Sequence, residues 1–249
     1  DLVTVMTAPA GAGKTTTLAI AVAAWHASGM QVTALAPSAR AASELSDATG
    51  APGQTVARWL LTHDHLDDPE RARHRLRFLP PREVVIVDEA SMLSTADLDR
   101  LTARAVNTGI PLVLVGDPAQ IGAVNAPGGM FEHLTHTLGG QVIELTELHR
   151  FAHPWEAAAT LRLRAGDPTV LDVYAGHGRV HPEASSEDAA DAVFERWRTA
   201  TDLGADALML ARAWTDVNAL NARARAVAVA TGQVTGPDLV RVATRSAST

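Results

Sequence analysis

Lys14 is the one lysine among 21 cationic residues, the rest being Arg, and it stands in the run Ala8-Pro9-Ala10-Gly11-Ala12-Gly13-Lys14-Thr15, just after an apolar stretch. So strong a bias toward Arg reads as a preference across the whole chain, and a lysine that persists marks a place where guanidinium is unacceptable. The run meets the phosphate-loop pattern GxxxxGK[ST] except that Ala8 replaces the first glycine. In such a loop the backbone N–H groups of residues 11–15 converge on phosphate oxygens, and the helix that follows adds the positive end of its dipole. The Lys14 ammonium reaches the β and γ phosphates, and the Thr15 hydroxyl sits on Mg²⁺. Alanine at position 8 is tolerated if its φ is negative. The plainer alternative is a tight strand-to-helix turn that binds nothing.

Two further runs carry chemistry of the same kind. Val84-Val85-Ile86-Val87 is followed by Asp88 and Glu89, so two adjacent carboxylates stand at the end of a strand apolar on both faces. Beside a phosphate loop, the Asp holds Mg²⁺ through its waters and a neighbouring acid takes a proton from the attacking water. Taken alone, an acidic pair there is also an ordinary helix N-cap or turn. Leu112-Val113-Leu114-Val115 leads into Gly116-Asp117-Pro118-Ala119-Gln120. The Gln120 amide, both donor and acceptor, can orient the attacking water or sense the γ-phosphate. By itself it is a common turn residue.

The elements that must position these groups follow from periodicity. Strands are expected over residues 2–6, 31–36, 84–87, 112–115 and 141–145. Helices are expected over residues 15–28, 40–48 and 95–107, the last with Ser94 as N-cap and Gly109 beyond its end. Strand and helix in alternation imply a parallel α/β sheet with helices on both faces, binding its ligand at the carboxyl ends of the strands. After Arg150 the rhythm changes to a helix over residues 154–164, a turn-rich segment 166–182 and a helix over residues 186–201. An apolar run at 207–211 then precedes an amphipathic stretch at 215–231, so strand-helix alternation restarts. The expected division is 1–150 for one domain and 151–249 for a linker region and the start of a second.

Composition bounds the rest. Hydrophobic residues make up 47% and charged residues 20%, which is a globular balance and excludes disorder. The longest apolar run, residues 18–25, falls far short of the ~20 residues that span a bilayer. With no cysteine there is no disulfide and no thiolate metal site, and nothing at the start reads as a signal peptide, so the expected setting is cytoplasmic. A net charge of -7 argues against general coating of nucleic acid and leaves room for a local groove.

Taken in order, TAPAGAGKTT, ALAPSARAASEL, VVIVDEASML, LVLVGDPAQIGAV and ELHRF resemble the motor of superfamily 1 helicases. The resemblance is to the RecD-like branch, which includes the helicase half of conjugative relaxases. It covers residues 2–151, and residues 207–223 resemble the opening of that family's second motor domain. The resemblance implies a RecA-like P-loop NTPase domain with a parallel sheet, followed by an incomplete second RecA-like domain. It implies an ATP-dependent DNA helicase or single-strand DNA translocase. ATP would lie on Ala10, Gly11, Ala12, Gly13, Lys14, Thr15 and Thr16, with Mg²⁺ on Thr15 and Asp88. Glu89 would be the catalytic base, Gln120 the γ-phosphate sensor and Arg150 an arginine finger at the domain interface. Ser38 and Thr55 would touch the backbone of single-stranded DNA. The family's adenine-contacting motif would precede Asp1 and its two late motifs would follow Thr249, so a longer parent chain is expected, one that can include a relaxase domain. The alternative from another class is a noncatalytic, nucleotide-responsive DNA-binding or scaffold module.

Other candidates for DNA contact have plainer readings. Trp59 with Val56 and Leu60 forms a helical stripe that suits core packing, and Trp25, Trp197 and Trp214 also read as core. The run Arg71, Arg73, His74, Arg75, Arg77 is either a polyanion contact or a solvated helix neutralised by Asp67, Asp68 and Glu70. The ten histidines show no metal-ligand spacing.

Overall fold

A computed structural model of the chain describes residues 2–63, 82–124 and 126–235. The basic run at 71–77 lies outside them. The described residues form two compact units divided between Val173 and Tyr174. Among them no helix is long and apolar enough to cross a membrane.

The first unit is built on six strands: β1 (Val3–Thr7), β2 (Gln31–Ala36), β3 (Gly53–Thr55), β4 (Glu83–Val87), β5 (Leu112–Gly116) and β6 (Val142–Glu144). They lie in the order β3-β2-β4-β5-β1-β6, every pair parallel. Five were expected within a residue or two. β3 was not, because Gly-Gln-Thr carries no apolar run; it forms by pairing in register with Ala34, Leu35 and Ala36 of β2.

The helices of this unit are α1 (Lys14–Ala27), α2 (Ala39–Thr49), α3 (Val56–His63), α4 (Thr95–Thr108), α5 (Met130–Thr137) and α6 (Pro154–Arg164). Parallel strands need such crossovers, and they cover both faces. On one face Val85 and Val87 of β4 meet Trp59, Leu60, Leu98, Leu101 and Phe131; on the other Ile86 meets Leu18, Val22 and Leu45. The two-residue period of β4 thus feeds two cores, each fully buried large side chain contributing ~1.5 to 3 kcal/mol. Ser94 caps α4 by accepting from the Asp97 N–H at 3.0 Å, as its position before the helical pattern predicts.

A further helix, α7 (Val170–Gly176), occupies the segment expected to be turns, and the division between units falls inside it. Its nucleus is local: the Asp167 carboxylate accepts from the Thr169 N–H and hydroxyl and from Arg162. These three donors hold the Asp167 carboxyl below the usual carboxylate range, the Thr169 hydroxyl first. In the second unit α8 (Ser186–Asp202) packs on α9 (Trp214–Ala230). Arg223 joins them, bonding Asp191 at 2.6 Å with its guanidinium 4.1 Å from the Phe194 ring centre. Two expectations fail here. The run 207–211 forms no strand, since no neighbouring strand pairs with it among the described residues, and Leu208 and Leu210 are left exposed. Trp214 is 81% exposed rather than core: apolar residues lie all round α9, and its packing on α8 buries Leu220 but not this first-turn residue.

Candidate functional site

Parallel register brings every candidate group to one edge of the sheet. Met6 lies level with Val115, Leu35 with Val87, and Val87 with Leu114. The loops leaving β1, β4 and β5 therefore open side by side at the carboxyl edge, where α/β sheets bind ligands.

Ala8 is buried, donates its N–H to the Gly116 carbonyl at 3.0 Å, and has no positive φ. The missing glycine is therefore tolerated for the backbone reason expected. Gly11 is required: its φ is +88°, and a Cβ built on it would lie 2.7 Å from the Arg150 Cβ. The segment after β6 turns back over the loop here, the His149 N–H donating to the Gly11 carbonyl at 2.8 Å. Arg150 is thus brought against the phosphate loop by its backbone, and it is exposed. A cleft of about 510 Å³ lies beside the loop, bounded by Ala12, Gly13, Thr16 and Thr17 and by residues 144–147 and His149. Thr15 and Thr16 are exposed in the first turn of α1, and Gly13 caps that helix without any side-chain bond.

Lys14 and Asp88 meet across the edge, with Nζ 2.7 Å from Oδ1. The same oxygen accepts the Glu89 N–H at 2.8 Å. Glu89 has φ 54° and ψ 35°, the one left-handed non-glycine backbone among the described residues. β5 ends in a second polar cluster: the buried Asp117 accepts from the Ala119 N–H, the Gln120 side-chain amide and the guanidinium of Arg164. The structure brings together residues 10–16, Asp88, Glu89, Gln120 and Arg150 on one edge.

Ser38 follows β2 and Thr55 ends β3 at the same edge, and each works locally as a helix cap. Ser38 Oγ accepts from the Ala41 N–H at 3.1 Å, and Thr55 Oγ1 from the Arg58 N–H at 3.2 Å. Trp59 is buried in the core, as its stripe predicts, and stacks on His63 with ring centres 4.3 Å apart. Two features escaped the sequence. The left-handed turn at Glu89 has no local signal, since such a backbone usually calls for Gly or Asn. Arg164 meets Asp117 across 47 residues and belongs to no motif.

Residues 1–185 match the family described as AAA domain. The conjugal transfer protein TraA (named as probable) of Sinorhizobium fredii is 31% identical over 226 residues, which are 90% of this chain and 19% of that protein. The ATP-dependent RecD2 DNA helicase of Deinococcus radiodurans is 32% identical over 180 residues, 72% of this chain and 22% of that protein. The chain thus spans about a fifth of the length of these relatives. Among solved structures, the Pif1 helicase of Candida albicans shares the fold with a TM-score of 0.50 at 19% identity, over 79% of this chain and 51% of that one.

Proposed function

The chain belongs to the AAA domain family, and from that premise we propose that it is the ATPase part of a DNA helicase or single-strand DNA translocase within a longer conjugal-transfer or RecD-like protein. The observation that carries the reading is the 2.7 Å pair of Lys14 and Asp88 at the carboxyl edge of a parallel sheet. An ammonium and a carboxylate held together there are the two charges that a nucleotide's phosphates and their metal would separate and use.

The residues fit ATP. α1 begins without a side-chain cap, leaving its first N–H groups to an anion, and Gly11 keeps the loop free of a side chain where Arg150 closes over it. Ala10, Gly11, Ala12, Gly13, Lys14, Thr15 and Thr16 would hold the phosphates, the adjacent cleft the nucleoside, and Thr15 with Asp88 the Mg²⁺. Mg²⁺ offsets phosphate charge when bound. The remaining work falls to side chains: Glu89 accepts the proton of the attacking water, Gln120 orients that water, and Arg150 compensates charge that grows on the transferred group. Ser38 and Thr55, at the same edge, would touch the backbone of single-stranded DNA. A relaxase domain in the parent chain is a further proposal, which rests on the sequence resemblance to conjugative relaxases, and the parent reading frame tests it.

The experiment is DNA-stimulated phosphate release by the full-length parent, with Lys14→Ala as its control. Turnover in the parent and its loss in Lys14→Ala support the reading. Absence of turnover in the parent favours a noncatalytic, nucleotide-responsive DNA-binding or scaffold module. Nucleotide affinity of Lys14→Ala within about threefold of the parent, ~0.7 kcal/mol, overturns the phosphate-loop assignment.

A further inference from the structure

We propose that Arg164, acting through Asp117, is a positioning residue for Gln120 in ATP hydrolysis; the proposal rests on the ATPase reading above. Asp117 is 5% exposed, and a buried carboxylate is stable only with its charge compensated and its lone pairs used. Four donors do this. Arg164 gives Nε at 3.1 Å and Nη2 at 2.8 Å to Oδ1, the Ala119 N–H reaches Oδ1 at 3.0 Å, and Gln120 Nε2 reaches Oδ2 at 3.2 Å.

The arrangement fixes Gln120 in a way its own turn does not. An ionised carboxylate only accepts, so the amide nitrogen must face it and the amide oxygen must face away. Gln120 thereby presents a carbonyl acceptor and one remaining N–H at the carboxyl edge, the pair of groups needed to hold a water against a phosphate. Arg164 sets this up by occupying Oδ1 with two bonds and compensating the carboxylate's charge, which leaves Oδ2 for Gln120. Arg164 itself is the last residue of α6 and 28% exposed.

The test is a double-mutant cycle in the full-length parent, reading DNA-stimulated kcat and KM for ATP and the affinity for ADP. Arg164→Ala is expected to lower kcat about tenfold, in the middle of the range for directly coupled groups, with KM and ADP affinity within about twofold of the parent. In the Gln120→Ala background the same change is expected to add less than about twofold, because the group it positions is already gone. Arg164→Lys, which keeps the charge and loses the fork, is expected to recover part of the rate. An unchanged kcat in Arg164→Ala, or effects that multiply in full in the double variant, overturn the proposal while leaving the ATPase reading intact. If Arg164→Ala does not fold, Arg164→Lys takes its place in the cycle and is judged the same way. A parent without turnover overturns the ATPase reading, and this assignment with it.

Discussion

Glu89 is held in a conformation that costs an ordinary L-residue ~1 to 2 kcal/mol. The Asp88 carboxylate helps to hold it there by accepting its N–H at 2.8 Å. Strain of this kind persists where the surroundings impose it, and it clusters at functional sites. Two variants separate the backbone from the side chain. Glu89→Gln is expected to leave ATP affinity nearly unchanged while lowering hydrolysis about 10²-fold or more, the worth of a positioned general base, as measured by phosphate release in the parent. Glu89→Gly is expected to be more stable than Glu89→Ala by about 1 kcal/mol in chemical denaturation, although glycine is the worse residue elsewhere. If Ala is the more stable, the left-handed turn is wrong. Lys14, Asp88, Glu89 and Gln120 were legible in the sequence because each follows an apolar strand at a short fixed distance. The turn at Glu89 and the Asp117–Arg164 pair were not, since the first stands at a residue type that gives no left-handed signal and the second closes over 47 residues.

Strand and helix bounds were legible wherever an apolar run or a cap marked them, as with β2, β4, β5 and the Ser94 cap of α4. They failed where the neighbour decides the outcome. The run 207–211 is apolar enough for a strand, yet it finds none to pair with among the described residues, whereas the polar Gly-Gln-Thr of β3 becomes a strand because β2 offers its edge. Gly53 makes that pairing possible. A Cβ there would lie 2.3 Å from the Ala42 carbonyl oxygen and 2.8 Å from the Ser46 Cβ, so α2 packs directly on the β3 backbone. Since the closest atom belongs to a helix backbone, it cannot swing aside. Gly53→Ala is therefore expected to destabilise the chain by about 1 to 3 kcal/mol, read as a lower midpoint in thermal or denaturant unfolding. An unchanged midpoint would mean that β3 does not lie against α2.

The whole molecule divides its work unequally between its two compact units. Both core clusters are made of residues of the first unit, from Leu2 to Leu145, and the phosphate loop, Asp88, Glu89, Gln120, Arg150 and Arg164 all belong to it as well. The second unit buries Phe194 and Leu220 between α8 and α9 and leaves Leu203, Leu208, Leu210 and Trp214 each more than 80% exposed, surface of a kind that usually meets another surface. Nucleotide affinity should therefore reside in the first unit alone. The prediction concerns a chain ending at Gly178, which keeps α7 whole together with the Asp167 cluster that starts it. It is expected to fold cooperatively and to bind ADP within about threefold of the full 249 residues, ~0.7 kcal/mol, by calorimetry. Below the ordinary carboxylate range it should lose the Asp167 contribution: the folded carboxyl is held low, so the bonds to Thr169 and Arg162 are complete above the unfolded value and disappear as pH falls through the folded one. A loss of affinity greater than tenfold on truncation would place nucleotide contacts in the second unit and refute this division of labour.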